Sequence, residues 1–292
     1  MPKQCGIALL SLFLRIRTEL IFLRRILDYF CEMGRVVFWF FAMVLSSAVT
    51  AQVRVSKLVI KTNQSYDLGQ SDILVADTLV MMDSSRLILN KLKPENFIRV
   101  KVAAIGNHCV IDGKGINGQA GRNGKPGITP IGPCLDGTAG RDGTKGLDGT
   151  AGINLFLYLE RVSLKGVLTI DISGGNGGRG GNGGNGGGGS PGTLHCNGGN
   201  GSNGGNAGQG GNGANGGVLT LTSKKTQLLR DMLGTKILVN NNGGAAGLSG
   251  KAGYHGGAGL GPSRKNGKDG VPGLDSISGV TGIKGSVKIE AN

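Results

Sequence analysis

Short apolar runs alternate with polar residues from Val53 to Asp112, and turn-forming Asn, Gly, Asp and Ser residues separate the runs. Runs of about four to eight residues with this alternation are typical of β-strands. Because successive runs are similar in length, the pattern predicts a parallel β-solenoid or a small sandwich over residues 52–112. A mixed apolar and polar stretch at residues 224–233 predicts one short helix.

After Asp112 glycine replaces the apolar pattern and recurs at every third position. The six glycine segments, numbered in chain order, cover residues 115–127, 137–152, 174–189, 198–217, 244–259 and 267–285. A period of three matches the polyproline II helix, which has about three residues per turn and no internal hydrogen bonds. Its backbone groups therefore need partners in neighbouring segments. The third and fourth segments consist of Gly-Gly-X triplets, which leave two faces of bare backbone, and we expect them at the centre.

Strands and glycine segments alternate in a regular order after Asp112. A strand leads into an outgoing segment, a turn and a returning segment lead into the next strand, and this unit occurs three times. The predicted fold class is therefore mainly β and polyglycine II: a small parallel β-solenoid-like base carries six antiparallel polyglycine II helices that form three hairpins. The base would be residues 52–112, the bundle with interleaved base strands residues 113–285, and the terminal base strand residues 286–292.

The turns of the three predicted hairpins all lie at the end away from the base. Cys134 and Cys196 fall in two of these turns, so we predict a disulfide between them. A bridge that closes a loop of about 62 residues contributes about 4 kcal/mol in the chain-entropy model. We predict that the turns form a binding surface from Ile131, Pro133, Leu135, Pro191, Thr193, Leu194, His195, Pro262, Arg264 and Lys265.

The glycine period and the hairpin order over residues 113–285 resemble the polyglycine II bundles of snow-flea antifreeze proteins. They are also similar to the receptor-binding adhesin at the tip of some phage long tail fibres, and this resemblance implies recognition loops at the distal end. Unlike the antifreeze proteins, the chain has charged outer segments and a β base. Residues 104–115, AIGNHCVIDGKG, resemble the IDGxG coil of right-handed β-helices of the pectin-lyase type. The Asp, His and Arg motifs of the pectin-hydrolysing enzymes do not follow that coil.

The first 51 residues have the composition of a targeting segment. Residues 33–51 show the charged, apolar and small-residue regions of a secretory signal peptide, with cleavage expected before Gln52. Residues 1–32 are interpreted as an over-called translation start, and an N-terminal membrane anchor is the alternative. The expected location is secreted: the periplasm, the outer surface or the extracellular space.

The chain carries a net charge of +14 at pH 7. This excess favours an anionic glycan, lipopolysaccharide or a surface protein as partner, although a solvated basic face is an equally good explanation. Nucleic acid is not an expected partner, because residues 174–217 contain one Arg and no aromatic residue. Cys109 has no predicted partner and is either a free or a buried thiol.

No group of residues in the sequence points to catalysis. Asp136, Asp142 and Asp148 would lie about 19 Å apart along a threefold helix, too far to share one calcium ion. They are interpreted as partners of Arg141 and Lys145. His195 precedes a predicted disulfide cysteine and has no third group beside it. Tyr254–His255 is interpreted as a packing plug, with a ligand contact as the alternative. We therefore expect no catalytic residue, no metal and no cofactor.

The sequence thus predicts a non-enzymatic structural or adhesive protein, secreted or on the cell surface, that presents its turn residues on a rigid bundle. Three alternatives remain open. The first is a collagen-like triple-helical protein, which requires three chains. The second is an ice-binding protein, which requires a flat uncharged face, and the third is a pectin-lyase-like enzyme that acts on polysaccharide.

Overall fold

A computed structural model describes residues 52–291. Within this range the chain forms eleven strands in two sheets, one α-helix and one 3-10 turn. Sheet A consists of β1 (Val53–Ile60), β3 (Ile73–Met81), β5 (Glu95–Ile105), β7 (Asn154–Leu164), β9 (Leu219–Ser223) and β11 (Val287–Ala291). Sheet B consists of β2 (Ser65–Asp67), β4 (Arg86–Ile88), β6 (Cys109–Asp112), β8 (Leu168–Asp171) and β10 (Ile237–Asn240). The helix α1 (Thr226–Met232) lies between β9 and β10, within the stretch predicted to be helical, and the 3-10 turn is Pro262–Arg264.

The strands stack as the coils of a parallel solenoid. The strand order is β1-β3-β5-β7-β9-β11 in sheet A and β10-β8-β6-β4-β2 in sheet B. All neighbouring strands run parallel, and the chain passes from one sheet to the other and back in each coil. Each coil therefore contributes one strand to each sheet.

The hydrophobic core lies between the two sheets. It is built from rows of side chains at paired positions on successive strands. Leu74 pairs with Ile98, Ile98 with Leu157, and Leu157 with Leu221. All four side chains are at most 2% exposed. Full burial of each such side chain contributes about 1.5–3 kcal/mol. The helix α1 adds the buried Leu229 to the same core.

The glycine segments leave the solenoid at one corner. The connections from β2 to β3 and from β4 to β5 are short, whereas those that follow β6, β8 and β10 each contain two glycine segments. All five connections lead from a strand of sheet B to a strand of sheet A. Three successive coils therefore carry long insertions at the same position.

The predicted fold class is wrong. A small base under six antiparallel polyglycine II helices in three hairpins was expected, but the regular structure of residues 52–291 is two parallel sheets of six and five strands with one helix. Strand pairing from β5 to β7, from β7 to β9 and from β9 to β11 continues across every glycine insertion. The reason is energetic: paired strands bury rows of Leu and Ile between the sheets, and glycine segments have no apolar side chains to bury at their contacts.

The glycine segments contain no helix or strand within the described range, but backbone hydrogen bonds join them at every third residue. Gly118 N–H donates to the Asn176 carbonyl at 2.7 Å, and Gly140 N–H donates to the Asn203 carbonyl at 2.9 Å. The third and fourth segments each bond to four other segments. At most of these contacts there is no room for a side chain. A Cβ on Gly124, for example, would lie less than 3.0 Å from the Arg141 carbonyl oxygen.

Side chains of Asn and Asp extend this bonding on the outside of the segments. Asn206 shows the pattern, because its N–H donates to Asp142 Oδ1 at 2.6 Å and its own Oδ1 accepts from Leu274 N–H at 2.8 Å. Asn182 Oδ1 accepts from Lys251 N–H at 2.9 Å in the same way. These contacts satisfy N–H groups at triplet positions that do not face another backbone.

The predicted signal peptide at residues 33–51 and the over-called start at residues 1–32 lie outside the described residues. Among residues 52–291, no helix has the length and apolar character needed to cross a membrane.

We predict that Gly184→Ala destabilises the chain and that Gly188→Ala in the same segment does not. A Cβ on Gly184 would lie less than 3.0 Å from the backbone of Lys125 and Pro126, whereas the nearest atoms to a Cβ on Gly188 are at 3.5 Å. Overpacking of this kind costs about 1–3 kcal/mol, and Gly→Ala at a compatible site stabilises by about 0.4–1 kcal/mol. Denaturant unfolding of both variants measures the difference, and equal unfolding midpoints would contradict the contact argument.

Candidate functional site

The loops that join paired glycine segments come together at the end of the segments away from the sheets. We define the tip surface as the loops of residues 128–136, 190–197 and 260–266. Their sequence positions span more than a hundred residues, yet covalent and hydrogen bonds join each loop to the next. The predicted site residues therefore do lie in one region.

The first two loops are joined by the predicted disulfide. Cys134 and Cys196 are bonded, with their Cα atoms 6.0 Å apart, which confirms that prediction. Cys134 N–H donates to the Pro191 carbonyl at 2.8 Å, and Ser190 N–H donates to the Leu135 carbonyl at 2.9 Å. The bridge and the two hydrogen bonds hold these loops side by side.

A tight turn orders the second loop next to the disulfide. Thr193 N–H donates to the Cys196 carbonyl at 3.0 Å, and Thr193 Oγ1 lies 3.2 Å from Cys196 Sγ. Thr193 is half-buried. Its role in the structure is thus to close the turn that presents Leu194 and His195.

The third loop joins the second through the backbone. Gly192 N–H donates to the Leu260 carbonyl, and Gly198 N–H donates to the Lys265 carbonyl, both at 2.8 Å. Ser263 and Arg264 have φ values of 54° and 64°. Non-glycine residues seldom adopt this left-handed region, and such residues cluster at functional sites.

The tip surface combines exposed apolar and basic side chains. Ile131 is fully exposed at 101%, and Leu194 is 79% exposed. Ile128 and Leu260 were not among the predicted site residues, but they are also exposed and begin two of the loops. The sequence did contain a signal for both residues, because each is apolar at a turn position where a polar residue is usual. The remaining predicted residues divide into the half-buried Pro262 and the exposed Pro133, Leu135, Pro191, His195, Arg264 and Lys265.

The ion pairs of residues 52–291 lie away from the tip surface. Arg264 and Lys265 therefore have no carboxylate partner among the described residues. Elsewhere, the Asn212 N–H that donates to Asp148 lowers the pKa of that carboxyl group, and Lys145 lowers it further from 3.3 Å. Of the predicted pairings of Asp136, Asp142 and Asp148 with Arg141 and Lys145, the Asp148–Lys145 pair is observed. Asp136 and Asp142 accept the N–H groups of Asn200 and Asn206.

The other candidates from the sequence have structural explanations. Cys109 is fully buried, with Sγ 3.2 Å from the Met82 carbonyl oxygen, and it is a free thiol. The interpretation of Tyr254–His255 as a packing plug is wrong, because Tyr254 is 75% exposed and His255 is exposed as well. The main chain of Tyr254 is bonded to the third segment: its N–H donates to Asn185 Oδ1, and its carbonyl accepts the Gly186 N–H.

Two remaining features lack the geometry of a reactive site. Phe97 and Phe156 stack on the outer face of sheet A with centroids 4.7 Å apart and planes within 9°, so each ring covers one face of the other. This is a cross-strand pair of the kind that stabilises sheets. Within residues 52–291, no three His, Cys, Asp or Glu residues are grouped as metal ligands.

The chain matches no protein-family model, no curated protein and no solved structure. The resemblance of residues 113–285 to snow-flea antifreeze proteins and phage tail-fibre adhesins therefore remains a hypothesis from sequence. The tip surface is the feature of the described residues that bears on function.

We predict that removal of the disulfide loosens the tip surface and leaves the sheets intact. Cys134→Ser with Cys196→Ser opens a loop whose ends are 62 residues apart in sequence. The chain-entropy model gives a loss of about 4 kcal/mol. Hydrogen exchange should rise in residues 128–136 and 190–197 and stay low in β5 and β7. Reductant added to the double variant serves as the control, and protection that is unchanged in both loops would contradict a clamping role.

Proposed function

We propose that this protein is a non-enzymatic structural or adhesive protein that binds its partner through the tip surface. One observation carries the proposal: three loops distant in sequence are fixed side by side by the Cys134–Cys196 disulfide, by three backbone hydrogen bonds between loops and by a fourth from the adjoining Gly198. Loops on a rigid scaffold are the usual place for binding residues. Because the loops are ordered before binding, little conformational entropy is lost when a ligand docks.

The disulfide supports a location outside the cytoplasm. Disulfides form and persist in oxidising compartments such as the periplasm, the outer surface and the extracellular space. We propose that the protein is secreted to one of these compartments, in agreement with the signal-like composition of residues 33–51.

An anionic glycan or lipopolysaccharide is the proposed class of partner. Arg264, Lys265 and His195 are exposed on the joined loops that also carry the exposed apolar Ile131 and Leu194. Arginine binds carboxylate and phosphate groups in bidentate geometry, and apolar side chains can contact sugar C–H faces or acyl chains. The net charge of +14 adds a long-range attraction to such surfaces.

Two of the three alternatives, the collagen-like and the ice-binding protein, receive less support from the described residues. A collagen-like triple helix needs three chains, whereas the glycine N–H groups here donate to carbonyls of the same chain. Ice binding needs a flat uncharged face, and the outer segments carry Arg122, Arg141, Asp142 and Lys251 in exposed positions.

We predict that Arg264→Ala with Lys265→Ala weakens binding of the intact protein to immobilised lipopolysaccharide and acidic polysaccharide by roughly tenfold or more. Loss of hydrogen bonds to charged groups costs about 1.5–3 kcal/mol each, and about 1.4 kcal/mol corresponds to tenfold. The matched control is Arg122→Ala with Lys125→Ala, which removes two exposed cations from the first glycine segment. Surface plasmon resonance at two salt concentrations measures both variants.

The outcomes separate specific from general attraction. If the Arg264/Lys265 variant and the Arg122/Lys125 control lose binding affinity equally, net charge alone drives binding. If the Arg264→Ala, Lys265→Ala double variant and the Ile131→Ser, Leu194→Ser double variant both bind as the wild type does, the tip surface is not the binding site.

A further inference from the structure

The outer face of sheet A carries a groove between two rows of outward side chains. The rows occupy paired positions on β3, β5 and β7. We define the sheet A groove by the side chains of both rows: Ile73, Phe97 and Phe156 in one, and Val75, Arg99 and Tyr158 in the other. Its volume is about 410 Å³, within the range of about 300–1,000 Å³ that is typical of small-molecule sites.

Aromatic residues are concentrated at this groove and are absent from the buried core. Residues 52–291 contain five aromatic residues, and three of them, Phe97, Phe156 and Tyr158, line the groove. The buried side chains between the sheets are aliphatic apart from Met81 and Cys109. Phe97 is 40% exposed. A chain that places its few large rings toward solvent and builds its core without them has a surface suited to a ligand.

The two phenylalanine rings present their edges to solvent. Phe97 and Phe156 stack with centroids 4.7 Å apart, so each ring covers one face of the other. The remaining faces are turned along the row toward Ile73 and Thr220, which occupy the paired positions on either side. The edge of an aromatic ring carries partial positive charge, whereas its faces carry partial negative charge. The edges of this pair therefore favour an anionic group beside them.

A guanidinium group lies next to the rings. The Arg99 guanidinium carbon is 5.0 Å from the centroid of the Tyr158 ring, a cation–π contact that orients the guanidinium plane. Arg99 is exposed and takes part in none of the ion pairs of residues 52–291. Its N–H groups are thus available for the bidentate contact that arginine makes with a carboxylate.

The nearest row of charges on the same face is already paired. Asp77 Oδ1 lies 2.7 Å from Lys101 Nζ, and Glu160 Oε1 lies 3.0 Å from Lys224 Nζ. These two pairs contribute no net charge. Arg99 therefore supplies the uncompensated charge at the groove.

The remaining charges of this region lie farther from Arg99. In its own row Arg54 lies two strands away on β1, at about 10 Å, and Glu290 lies three strands away on β11, at about 14 Å. Asp72 and Glu95 lie three and four residues before the Arg99 position along the strand direction, about 10 Å or more from it. An anion at Arg99 thus meets a cation at contact distance and carboxylates only beyond the groove.

We propose that the sheet A groove binds a medium-chain alkyl carboxylate, with the carboxylate on Arg99 and the chain along the apolar side chains. The guanidinium lies over Tyr158 on β7, on the side of β5 away from Val75 on β3, so the apolar side chains toward β3 are left for the alkyl chain. Ile73, Val75 and Phe97 offer no hydrogen-bonding group to the hydroxyls of a sugar. The site is separate from the tip surface, and its ligand does not depend on the function proposed for that surface.

Isothermal titration calorimetry of the intact protein with octanoate, 1-octanol and acetate tests both parts of the ligand. Octanoate should bind. 1-Octanol has the same chain without the carboxylate and should bind roughly tenfold or more weaker, because the hydrogen bonds to the guanidinium are lost. Acetate has the carboxylate without the chain and should give no measurable heat.

Substitutions place the ligand in the groove. Arg99→Met retains an unbranched side chain and removes the charge, so it should weaken octanoate binding roughly tenfold or more and leave 1-octanol binding unchanged. Phe97→Thr removes an apolar wall and should weaken both. The matched control is Lys101→Met, two residues along the same strand, whose cation is already paired with Asp77 and whose loss should leave octanoate binding unchanged. Equal denaturant midpoints of Arg99→Met and Lys101→Met would show that the comparison is made on folded protein.

Four results would overturn the proposal. They are no heat with octanoate and wild-type protein, octanoate binding that is unchanged by Arg99→Met, equal weakening by Arg99→Met and Lys101→Met, and equal affinity for octanoate and 1-octanol. Binding of an oligogalacturonate that is lost in Arg99→Met, without binding of octanoate, would assign the groove to an acidic sugar instead.

Discussion

Main-chain hydrogen bonding from each coil to the next is the interaction on which the rest of this structure depends. In the sheets it takes the form of parallel ladders, such as β5 on β7, and in the glycine segments it takes the form of one or two N–H donors in each triplet. Ordering a residue costs about 1–2 kcal/mol, and a backbone hydrogen bond returns a net of about 0.5–1.5 kcal/mol. Glycine segments are therefore stable only while nearly all their bonds are made at once.

The two ends of each glycine segment keep those bonds in register. At one end the chain enters strands whose Leu and Ile side chains are buried between the sheets. The strands therefore fix where each segment begins relative to its neighbours. At the other end the Cys134–Cys196 disulfide and the backbone bonds to Leu260 and Lys265 join the loops. This arrangement makes the tip surface rigid, because its loops are attached to a framework that is itself bonded throughout.

The same bonding determines which side chains are available for binding. Wherever a backbone approaches closely, side chains are excluded, so the remaining positions of each triplet must project outward. In central segments these positions hold Asn residues that bond to neighbouring segments, as Asn206 does. In the sixth segment, which bonds to the fourth and fifth, they hold the exposed apolar residues Val271, Leu274, Ile277, Val280 and Ile283.

The sequence by itself determined the local features of this protein. Alternation marked the strands between Val53 and Asp112, and the threefold glycine period marked the segments whose backbones touch, because both signals depend on neighbouring residues alone. The glycine period also placed Cys134 and Cys196 in two turns of the same kind, which predicted a disulfide between residues 62 apart in sequence. Only the tertiary structure decided that two parallel sheets, and not a polyglycine II bundle on a small base, are the framework, since strand pairing across the glycine insertions joins residues about 60 apart in sequence. It also decided that Tyr254 and the apolar residues from Val271 to Ile283 are exposed. A period of three shows which residues share a face, but whether that face meets another segment or solvent depends on the order in which the segments stack.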